Sequence, residues 1–486
     1  MTATTQPPRV SSPYITKRLM PKASARARPV LVSKTPRRPL PKPMARHHLL
    51  LQLLYLAVVL TAAHGSIDFR ADLNHPYAGS SLSKYEFTTN AARASNARAA
   101  RINARFARIL GQGLPAVDVP LTPLADQGHS LTVGIGTPPQ PRTLIVDTGS
   151  DLIWTQCQLL FRRTAARQRG EPPLYDPRRS SSFAFLPCSS RLCQEGQFSD
   201  KNCTRNRCLY DDVYGSAEAD GVLASESFTF GVHTKVSLSL GFGCGALSAG
   251  SLVGASGIMG LSPGTMSLIS QLSVPRFSYC LTPFADRTTS PLLFGAMADL
   301  HKNKTTGPIQ TTSILRNPAM ETAYYYVPLV GLSLGAKRLA VPEATLAIKP
   351  DGSGGTIVDS GSTISYLVEK AFKVLKKAVL KTVRLPVVNG TVEDYELCFA
   401  LPSGVAMSSV KTPPLVLHFE GGAAMVLTKD NYFQEVRAGL MCLAVGSSPD
   451  DFGVSIIGNV QQQNMHVLFD VRSQKFSFAP TQCDSI

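Results

Sequence analysis

The first 43 residues of the chain contain no aspartate or glutamate, and no cysteine occurs before Cys157. A segment without acidic residues that is rich in proline, serine and arginine cannot bury a core, so we predict that residues 1–43 are a disordered basic extension. No Cys-x-x-Cys pair is present and the nine histidines are scattered, which does not fit the usual spacing of a zinc site. We therefore expect neither a metal nor a cofactor.

Long apolar runs are also scarce, and the clearest, residues 49–63, is too short for a membrane span. It follows Met44 and a basic stretch, and small residues lead on to Gly65. This pattern predicts a secretory signal peptide over residues 44–65, with Met44 as the true start. We expect an extracellular protein with no stable membrane span once the signal is removed. The alternatives are an organelle transit peptide, which implies a plastid, and a vacuolar location.

The net charge of +16 would suit a nucleic acid or an anionic membrane, but it is unevenly distributed. Residues 1–114 hold 18 Lys and Arg against 3 Asp and Glu, whereas the remainder holds 31 against 30. The positive charge therefore belongs to leader segments that we expect to be removed, and no nucleic-acid partner is predicted.

The ten cysteines agree with a secreted chain, because an even number suits an oxidised framework. Three Asn-x-Ser/Thr sequons point the same way. Their asparagines, the candidate glycosylation sites, are Asn202, Asn303 and Asn389.

One short phrase occurs twice in the chain, 212 residues apart. Residues 147–150 read Asp-Thr-Gly-Ser after an apolar stretch, and residues 359–362 read Asp-Ser-Gly-Ser after another. Two equivalent half-sites that each offer one aspartate, Asp147 and Asp359, predict a catalytic dyad at the seam of two lobes. One copy alone would be ordinary turn chemistry at the end of a strand, but two copies with matched flanks favour catalysis.

Each residue type in the phrase has a chemical reason. Two carboxyls a hydrogen bond apart cannot both ionise cheaply, so they share a proton. One is then a base for water, and the protonated one donates to the substrate carbonyl. Gly149 and Gly361 allow the backbone to approach closely. Hydroxyls that can donate to the carboxylates or brace the opposite loop come from Thr148, Ser150, Ser360 and Ser362.

On these motifs the chain resembles the pepsin-like aspartic proteases, and more closely their plant nepenthesin-type, or atypical, branch. The resemblance covers residues 130–483. The phrases that carry it are weak singly and specific in their joint order, and they lie at residues 135–140, 147–157, 242–245, 277–281, 325–329 and 455–459.

The resemblance implies an all-β fold of two related β-barrel lobes with an active-site cleft between them. Many short strands separated by Gly, Pro and Ser predict an all-β barrel class independently. It further implies a propeptide over residues 66–115, an N-terminal lobe over 116–297 and a C-terminal lobe over 298–486. We expect a monomeric endopeptidase that hydrolyses internal bonds of proteins or peptides at acidic pH, with a broad preference for large apolar side chains beside the scissile bond.

A flap over the cleft is also implied by the resemblance, with Tyr214 and Gly215 as its candidates and Trp154 as the hydrogen-bond partner of the tyrosine. The chain departs from its relatives here, because the flap sequence is one residue shorter. This departure favours a rival hypothesis, a catalytically weak or inactive pepsin-fold protein that binds or inhibits another protein.

The cysteine-rich insertion over residues 157–208 matches the nepenthesin-type branch in position. Its disulfide candidates are Cys188, Cys193, Cys203 and Cys208, and the resemblance implies a further bridge between Cys398 and Cys442. Two cysteines that relatives carry just after Cys157 are missing, so Cys157 is either paired elsewhere or free.

Two helices are predicted from periodicity. Residues 88–108 are rich in alanine and carry arginines at mostly helical spacing, at positions 93, 98, 101, 105 and 108. This stretch is either a solvated basic helix or, as the resemblance implies, a propeptide whose cations lie over the acidic cleft until low pH weakens the attraction. Residues 366–385 predict an amphipathic surface helix with lysines on one side.

Overall fold

The computed structural model describes residues 67–74, 83–109, 128–158, 173–214, 217–231, 235–250, 252, 254–284, 286, 288–302, 305–319, 324–448 and 453–486. The predicted extension and signal peptide, together with Asn303 and Gly215, lie outside the described residues.

Short strands dominate the described chain. Those in the first part of the chain are β1 Arg70–Asn74, β2 Ser130–Ile135, β3 Gln140–Asp147, β4 Trp154–Gln156, β5 Ala184–Phe185, β6 Asp200–Thr204, β7 Arg207–Val213, β8 Ala217–Phe230, β9 Val236–Gly250, β10 Gly257–Gly260, β11 Arg276–Cys280 and β12 Ser290–Phe294. Those in the second part are β13 Gln310–Ser313, β14 Leu329–Leu334, β15 Lys337–Arg338, β16 Thr356–Val358, β17 Ser365–Val368, β18 Val387–Val388, β19 Cys398–Ala400, β20 Leu415–Phe419, β21 Ala424–Leu427, β22 Phe433–Arg437, β23 Leu440–Leu443, β24 Val445–Ser448, β25 Ser455–Ile457, β26 Met465–Asp470 and β27 Lys475–Pro480.

Helices are few in the same ranges. They are α1 Lys84–Ile109, α2 Arg191–Glu195, α3 Leu268–Leu272, α4 Glu369–Thr382 and α5 Asn459–Gln462. The predicted all-β fold is confirmed.

The described strands form one 15-stranded sheet and three sheets of four strands. The order of the large sheet runs β13-β27-β26-β11-β12-β1-β2-β3-β10-β4-β9-β8-β7-β6, and β5 pairs with β8. The small sheets run β15-β14-β20-β21, β16-β25-β17-β24 and β18-β19-β23-β22. Because β11 pairs with β26, strands from early and late in the chain share one sheet.

The two copies of the repeated phrase leave equivalent strands. Strand β3, which ends at Asp147, pairs in parallel with β10, and β16, which ends just before Asp359, pairs in parallel with β25. In both cases an apolar strand that leads to a glycine, Gly260 or Gly458, runs behind the aspartate. The same local sequence therefore produces the same local architecture on both sides of the cleft.

The amphipathic helix is shorter than predicted. It begins at Glu369, whereas residues 365–368 form β17 and pair in parallel with β24. The buried face of α4 comprises Ala371, Phe372, Leu375 and Val379. Periodicity extended the prediction too far because Leu367 and Val383 are buried by neighbouring segments and not as part of the helix.

All ten cysteines are paired in the structure. Within the insertion, Cys188 pairs with Cys203 and Cys193 with Cys208. Cys398 pairs with Cys442 across neighbouring strands. The remaining bridges are Cys157–Cys244 and Cys280–Cys483. Of the two possibilities left open for Cys157, the structure therefore has it paired, with a partner 87 residues away.

No helix in the described ranges is long and apolar enough to cross a membrane. The same ranges contain no cluster of His, Cys, Asp and Glu suited to hold a metal ion.

Candidate active site

The two aspartates meet at the seam, and each is held by its own loop in the same way. The Gly149 N–H donates to Asp147 Oδ1 at 2.8 Å and the Ser150 hydroxyl to Asp147 Oδ2 at 2.5 Å. On the other side, the Gly361 N–H donates to Asp359 Oδ1 at 2.9 Å and the Ser362 hydroxyl to Asp359 Oδ2 at 2.7 Å. Both carboxyl side chains are almost fully buried, with exposed fractions of 1% and 0%.

The second residue of each phrase ties the two loops together. The Ser360 N–H donates to Thr148 Oγ1 at 2.9 Å, and the Thr148 N–H donates to Ser360 Oγ at 3.1 Å. The two hydroxyls donate in turn across the seam, from Thr148 to the Val358 carbonyl at 3.2 Å and from Ser360 to the Val146 carbonyl at 3.1 Å. This reciprocal network fixes the spacing of the dyad, because neither loop can move without breaking buried hydrogen bonds.

The glycine of each phrase leaves room for the opposite aspartate. A Cβ atom added at Gly149 would collide with Asp359 Oδ1, and one added at Gly361 would collide with Asp147 Oδ1. Any larger residue would therefore push the carboxyls apart. Close approach, and not an unusual φ angle, is what requires glycine here.

The side chain of Arg98, on α1, also lies between the two carboxyls. Its Nη2 donates to Asp147 Oδ1 at 2.7 Å, to Asp147 Oδ2 at 2.9 Å and to Asp359 Oδ1 at 3.1 Å. Its Nε donates to Asp359 Oδ2 at 2.8 Å. The arginine is buried with the dyad, so one guanidinium contacts both carboxyl groups where little water can screen them.

The electrostatics of the two carboxyls differ. Burial raises the pKa of Asp147, Arg98 lowers it in part and the charge of Asp359 raises it again, so it stays above its ordinary value. Burial also raises the pKa of Asp359, but the charge of Arg98 and the hydrogen bonds from Ser362 and Arg98 hold it below its ordinary value. Asp147 is therefore the member of the pair that takes up a proton more readily.

Helix α1 begins at a capping box. The Glu86 N–H donates to Ser83 Oγ at 3.3 Å, and the Ser83 N–H donates to Glu86 Oε2 at 2.8 Å. Along the buried face, the Phe87 ring packs against Phe284 with 5.0 Å between centroids, and Phe106 stacks on Tyr324 at 6.0 Å. These apolar anchors lie near the two ends of the helix and set which of its residues reach the dyad.

Polar contacts anchor the middle of the same helix. Ser95 Oγ accepts the Thr363 N–H at 2.6 Å, one residue beyond the second phrase. Asn103 Nδ2 donates to Ser448 Oγ at 2.7 Å, and Asn103 Oδ1 accepts the Val454 N–H at 3.0 Å. Helix α1 therefore occupies the cleft through specific buried contacts, which a solvated basic helix would not make.

The candidate flap residues lie beside the dyad but do not make the expected hydrogen bond. The rings of Trp154 and Tyr214 stack with 5.8 Å between centroids and 28° between planes. Neither Trp154 Nε1 nor the Tyr214 hydroxyl has a hydrogen-bond partner among the described residues, although both are buried. Instead, Arg101 of α1 donates to the Tyr214 carbonyl oxygen. With α1 in the cleft, the ring contact is present and the implied hydrogen bond is not.

Sequence reasoning missed two carboxyls near the dyad. Burial raises the pKa of Asp151 to about 6, and burial together with the neighbouring Asp151 raises the pKa of Asp212 to about 7. Arg105 of α1 lowers the pKa of both. The sequence contains one signal of this kind. The first phrase is directly followed by an acidic residue, Asp151, whereas the second is followed by an uncharged residue, Thr363.

The described sequon asparagines are accessible. Asn202 lies on β6 and Asn389 follows β18, and both side chains are exposed. Their modification remains a prediction.

Comparison with known proteins identifies the relatives of this chain. Residues 129–296 match a family model described as xylanase inhibitor N-terminal, and residues 324–480 match one described as xylanase inhibitor C-terminal. The chain is 38% identical over 422 residues to aspartic proteinase nepenthesin-1 of Nepenthes gracilis, covering 85% of this chain and 90% of that one. It is 33% identical over 475 residues to aspartyl protease 37 of Oryza sativa subsp. japonica, covering 90% and 99%.

Solved structures share the fold at lower identity. The crystal structure of edgp superposes with a TM-score of 0.59 at 18% identity, covering 74% of this chain and 94% of that one. Basic 7S globulin from soybean gives a TM-score of 0.57 at 17% identity, covering 74% and 94%. At this identity the likeness concerns the fold alone.

The cross-seam network gives a stability test. Thr148→Val should lower the free energy of unfolding by about 1–3 kcal/mol, because the buried Ser360 N–H would lose its acceptor. Thr148→Ser keeps the hydroxyl and is the matched control, so it should lose clearly less. Urea denaturation of the intact chain measures both, and a valine variant as stable as the unmodified protein would contradict the bracing role.

Proposed function

Because the chain belongs to the plant pepsin-like aspartic proteases of the nepenthesin type, we propose that Asp147 and Asp359 jointly activate a water molecule that hydrolyses internal peptide bonds at acidic pH. The observation that carries the proposal is the pair of buried carboxyls, each held by a backbone N–H and a serine hydroxyl and bridged by one cation.

In the proposed reaction the dyad holds one proton. The ionised carboxylate accepts a proton from water, and the protonated carboxyl donates to the carbonyl oxygen of the scissile bond. The water oxygen adds to the carbonyl carbon. The C–N bond then breaks as the amine takes up the proton that the first carboxylate accepted from water, and a hydroxyl of the tetrahedral intermediate returns its proton to the second carboxylate, so that the dyad again holds one proton. Ser150 and Ser362 each donate to one carboxyl oxygen and so orient the pair throughout.

We further propose that residues 66–115 are a propeptide and that α1 is its inhibitory element. The positive charge of Arg98 compensates the negative charge of the two aspartates, and the helix fills the space that a substrate needs. The raised pKa of Asp147 means that it is protonated first as the pH falls. The lowered pKa of Asp359 means that its ion pair with Arg98 persists to lower pH and is lost only as the pH falls through that pKa. Acidification therefore weakens the inhibition in two steps.

Substrates are proposed to be proteins or peptides bound as extended chains by strand-like backbone hydrogen bonds. Secretion is supported by the five disulfides, which form in oxidising compartments.

The rival function is a protein that binds or inhibits a partner without catalysis. The matching family models are described as domains of xylanase inhibitors, which is the observation in its favour. Against it, both aspartates and all four supporting hydroxyls are present and engaged. The catalytic proposal is therefore the better supported.

Removing either carboxylate tests the reaction. Asp147→Asn and Asp359→Asn should each lower the rate of casein cleavage at acidic pH at least about a hundredfold, because the amide can neither accept nor share the proton. Asp484→Asn, an exposed position near the end of the chain, is the control and should retain the rate. Full activity in either dyad variant would refute the assignment.

The inhibitory role of Arg98 has its own test. Arg98→Gln keeps a hydrogen-bonding side chain but removes the charge, so self-processing of the full-length chain should begin at a higher pH. Arg93→Gln is the matched control on the same helix, since Arg93 pairs at the surface with Asp394 at 2.9 Å and such pairs contribute little. Processing is followed by gel mobility across a pH series. An unchanged pH midpoint for the Arg98 variant would contradict the role.

A further inference from the structure

His129 lies at the seam between the two halves of the site, directly before β2, and only 2% of it is exposed. Its backbone carbonyl accepts the Val146 N–H at 2.9 Å, one residue before the catalytic Asp147. Its ring reaches two further segments, since Nε2 lies 3.2 Å from the Thr282 carbonyl oxygen and Nδ1 lies 3.3 Å from Asn459 Nδ2. The proposed reaction makes no use of this buried imidazole.

The orientation of the Asn459 amide is fixed by its other contacts. Its Nδ2 donates to the Ser360 carbonyl at 3.1 Å, and its Oδ1 accepts from Gln463 Nε2 at 3.1 Å. Because the amide nitrogen carries two hydrogens, the second one is directed to His129. Asn459 is therefore the donor in its contact with the ring, and His129 Nδ1 is the acceptor.

These partners select one form of the ring. The Thr282 carbonyl can only accept, so Nε2 carries the hydrogen and donates to it, whereas Nδ1 carries none. A proton added at Nδ1 would point at the amide nitrogen of Asn459, which has no lone pair to offer. Rotating the amide does not remove the conflict, because its oxygen would then face the Ser360 carbonyl oxygen. Protonation of His129 and this network therefore exclude each other.

The same ring supports the N-terminal anchor of α1. It stacks on Phe284 with 5.9 Å between centroids and 25° between planes. Phe284 in turn packs edge-on against Phe87, in the first turn of α1, with 5.0 Å between centroids. Phe87 is fully buried. A displacement of the imidazole therefore reaches the start of the helix through a single intervening ring.

We propose that His129 is an acid-sensitive positioning residue, which holds Phe284 against Phe87 while it is neutral and loosens the first turns of α1 when it is protonated. Histidine is the side chain whose ordinary titration lies between neutral and mildly acidic pH. The network is present above the pH at which His129 takes up a proton and is lost as the pH falls through it, so the helix is held more weakly on the acidic side. This inference rests on the proposed role of α1 as the inhibitory element. It adds a further acid-sensitive contact, at the N-terminal end of α1, to the one between Arg98 and the dyad.

Charged groups on the elements around the ring have to be separated from it in any test. Asp147 and Asp359 adjoin Val146 and Ser360, and both carboxyls are bound by Arg98. Exposed charged side chains within three residues of the two phenylalanines are Lys84, Glu86 and Asp286. Since the raised pKa of Asp147 makes it the member of the dyad that is protonated first, a variant without that carboxyl is the right background.

Hydrogen exchange of the intact chain tests the inference in an Asp147→Asn background, which removes the titration of Asp147 and should not process itself. The amides of residues 88–96 should lose protection as the pH falls. His129→Gln, which cannot titrate, should move the midpoint of that loss to lower pH by about one unit. His301→Gln is the matched control, since His301 is exposed, and it should leave the midpoint unchanged.

The imidazole nitrogen chemical shifts of His129 in the same background give a second measurement that needs no substitution of the histidine. They should show the hydrogen on Nε2 at near-neutral pH, and protonation over the pH range in which residues 88–96 lose protection. An unchanged midpoint in His129→Gln would overturn the inference, and so would an imidazole that stays neutral while protection is lost. Neither readout depends on peptidase activity, so a failure of the proposed function would appear separately, in the casein assay of the dyad variants.

Discussion

Two carboxyl groups can share a buried cleft only if a proton or a cation compensates for their repulsion. In this protein the cation is Arg98, which contacts both aspartates through one guanidinium. The rest of the site serves to bring the carboxyls close enough for that single charge to reach both. The glycines remove the Cβ atoms that would separate the loops, and the Thr148–Ser360 exchange fixes their spacing.

In the proposed function the same requirement links inhibition to activation. While Arg98 is in place, its helix lies over the two aspartates, and Phe87 and Phe106 anchor the helix near its two ends. A proton can replace the arginine as the compensating charge, and it also creates the singly protonated dyad that the reaction needs. Acidic pH is therefore proposed to act twice on one pair of side chains: protonation of Asp147 weakens the hold on Arg98 and supplies the proton of the dyad, and the ion pair with Asp359 is lost at lower pH.

Much of this arrangement could be predicted from the sequence, because a repeated phrase with matched flanks encodes the dyad, its hydroxyls and the strands behind it. The helical spacing of the arginines also predicted α1. Which arginine reaches the dyad could not be predicted, since that depends on the contacts of Phe87 and Phe106. The partner of Cys157 depends likewise on a contact between distant segments. Local sequence patterns predict local geometry, whereas contacts between residues far apart in the sequence are seen only in the folded structure.

Calorimetric titration of the intact chain with a statine-type peptide, which mimics the tetrahedral intermediate, tests the central claim most directly. With α1 in the cleft and Arg98 on the dyad, the intact chain at near-neutral pH should show no binding, and binding should appear after acid processing removes the helix. Equal affinity of the intact and processed chains at the same pH would contradict the account, because the cleft would then be open to a substrate-like ligand with α1 still attached.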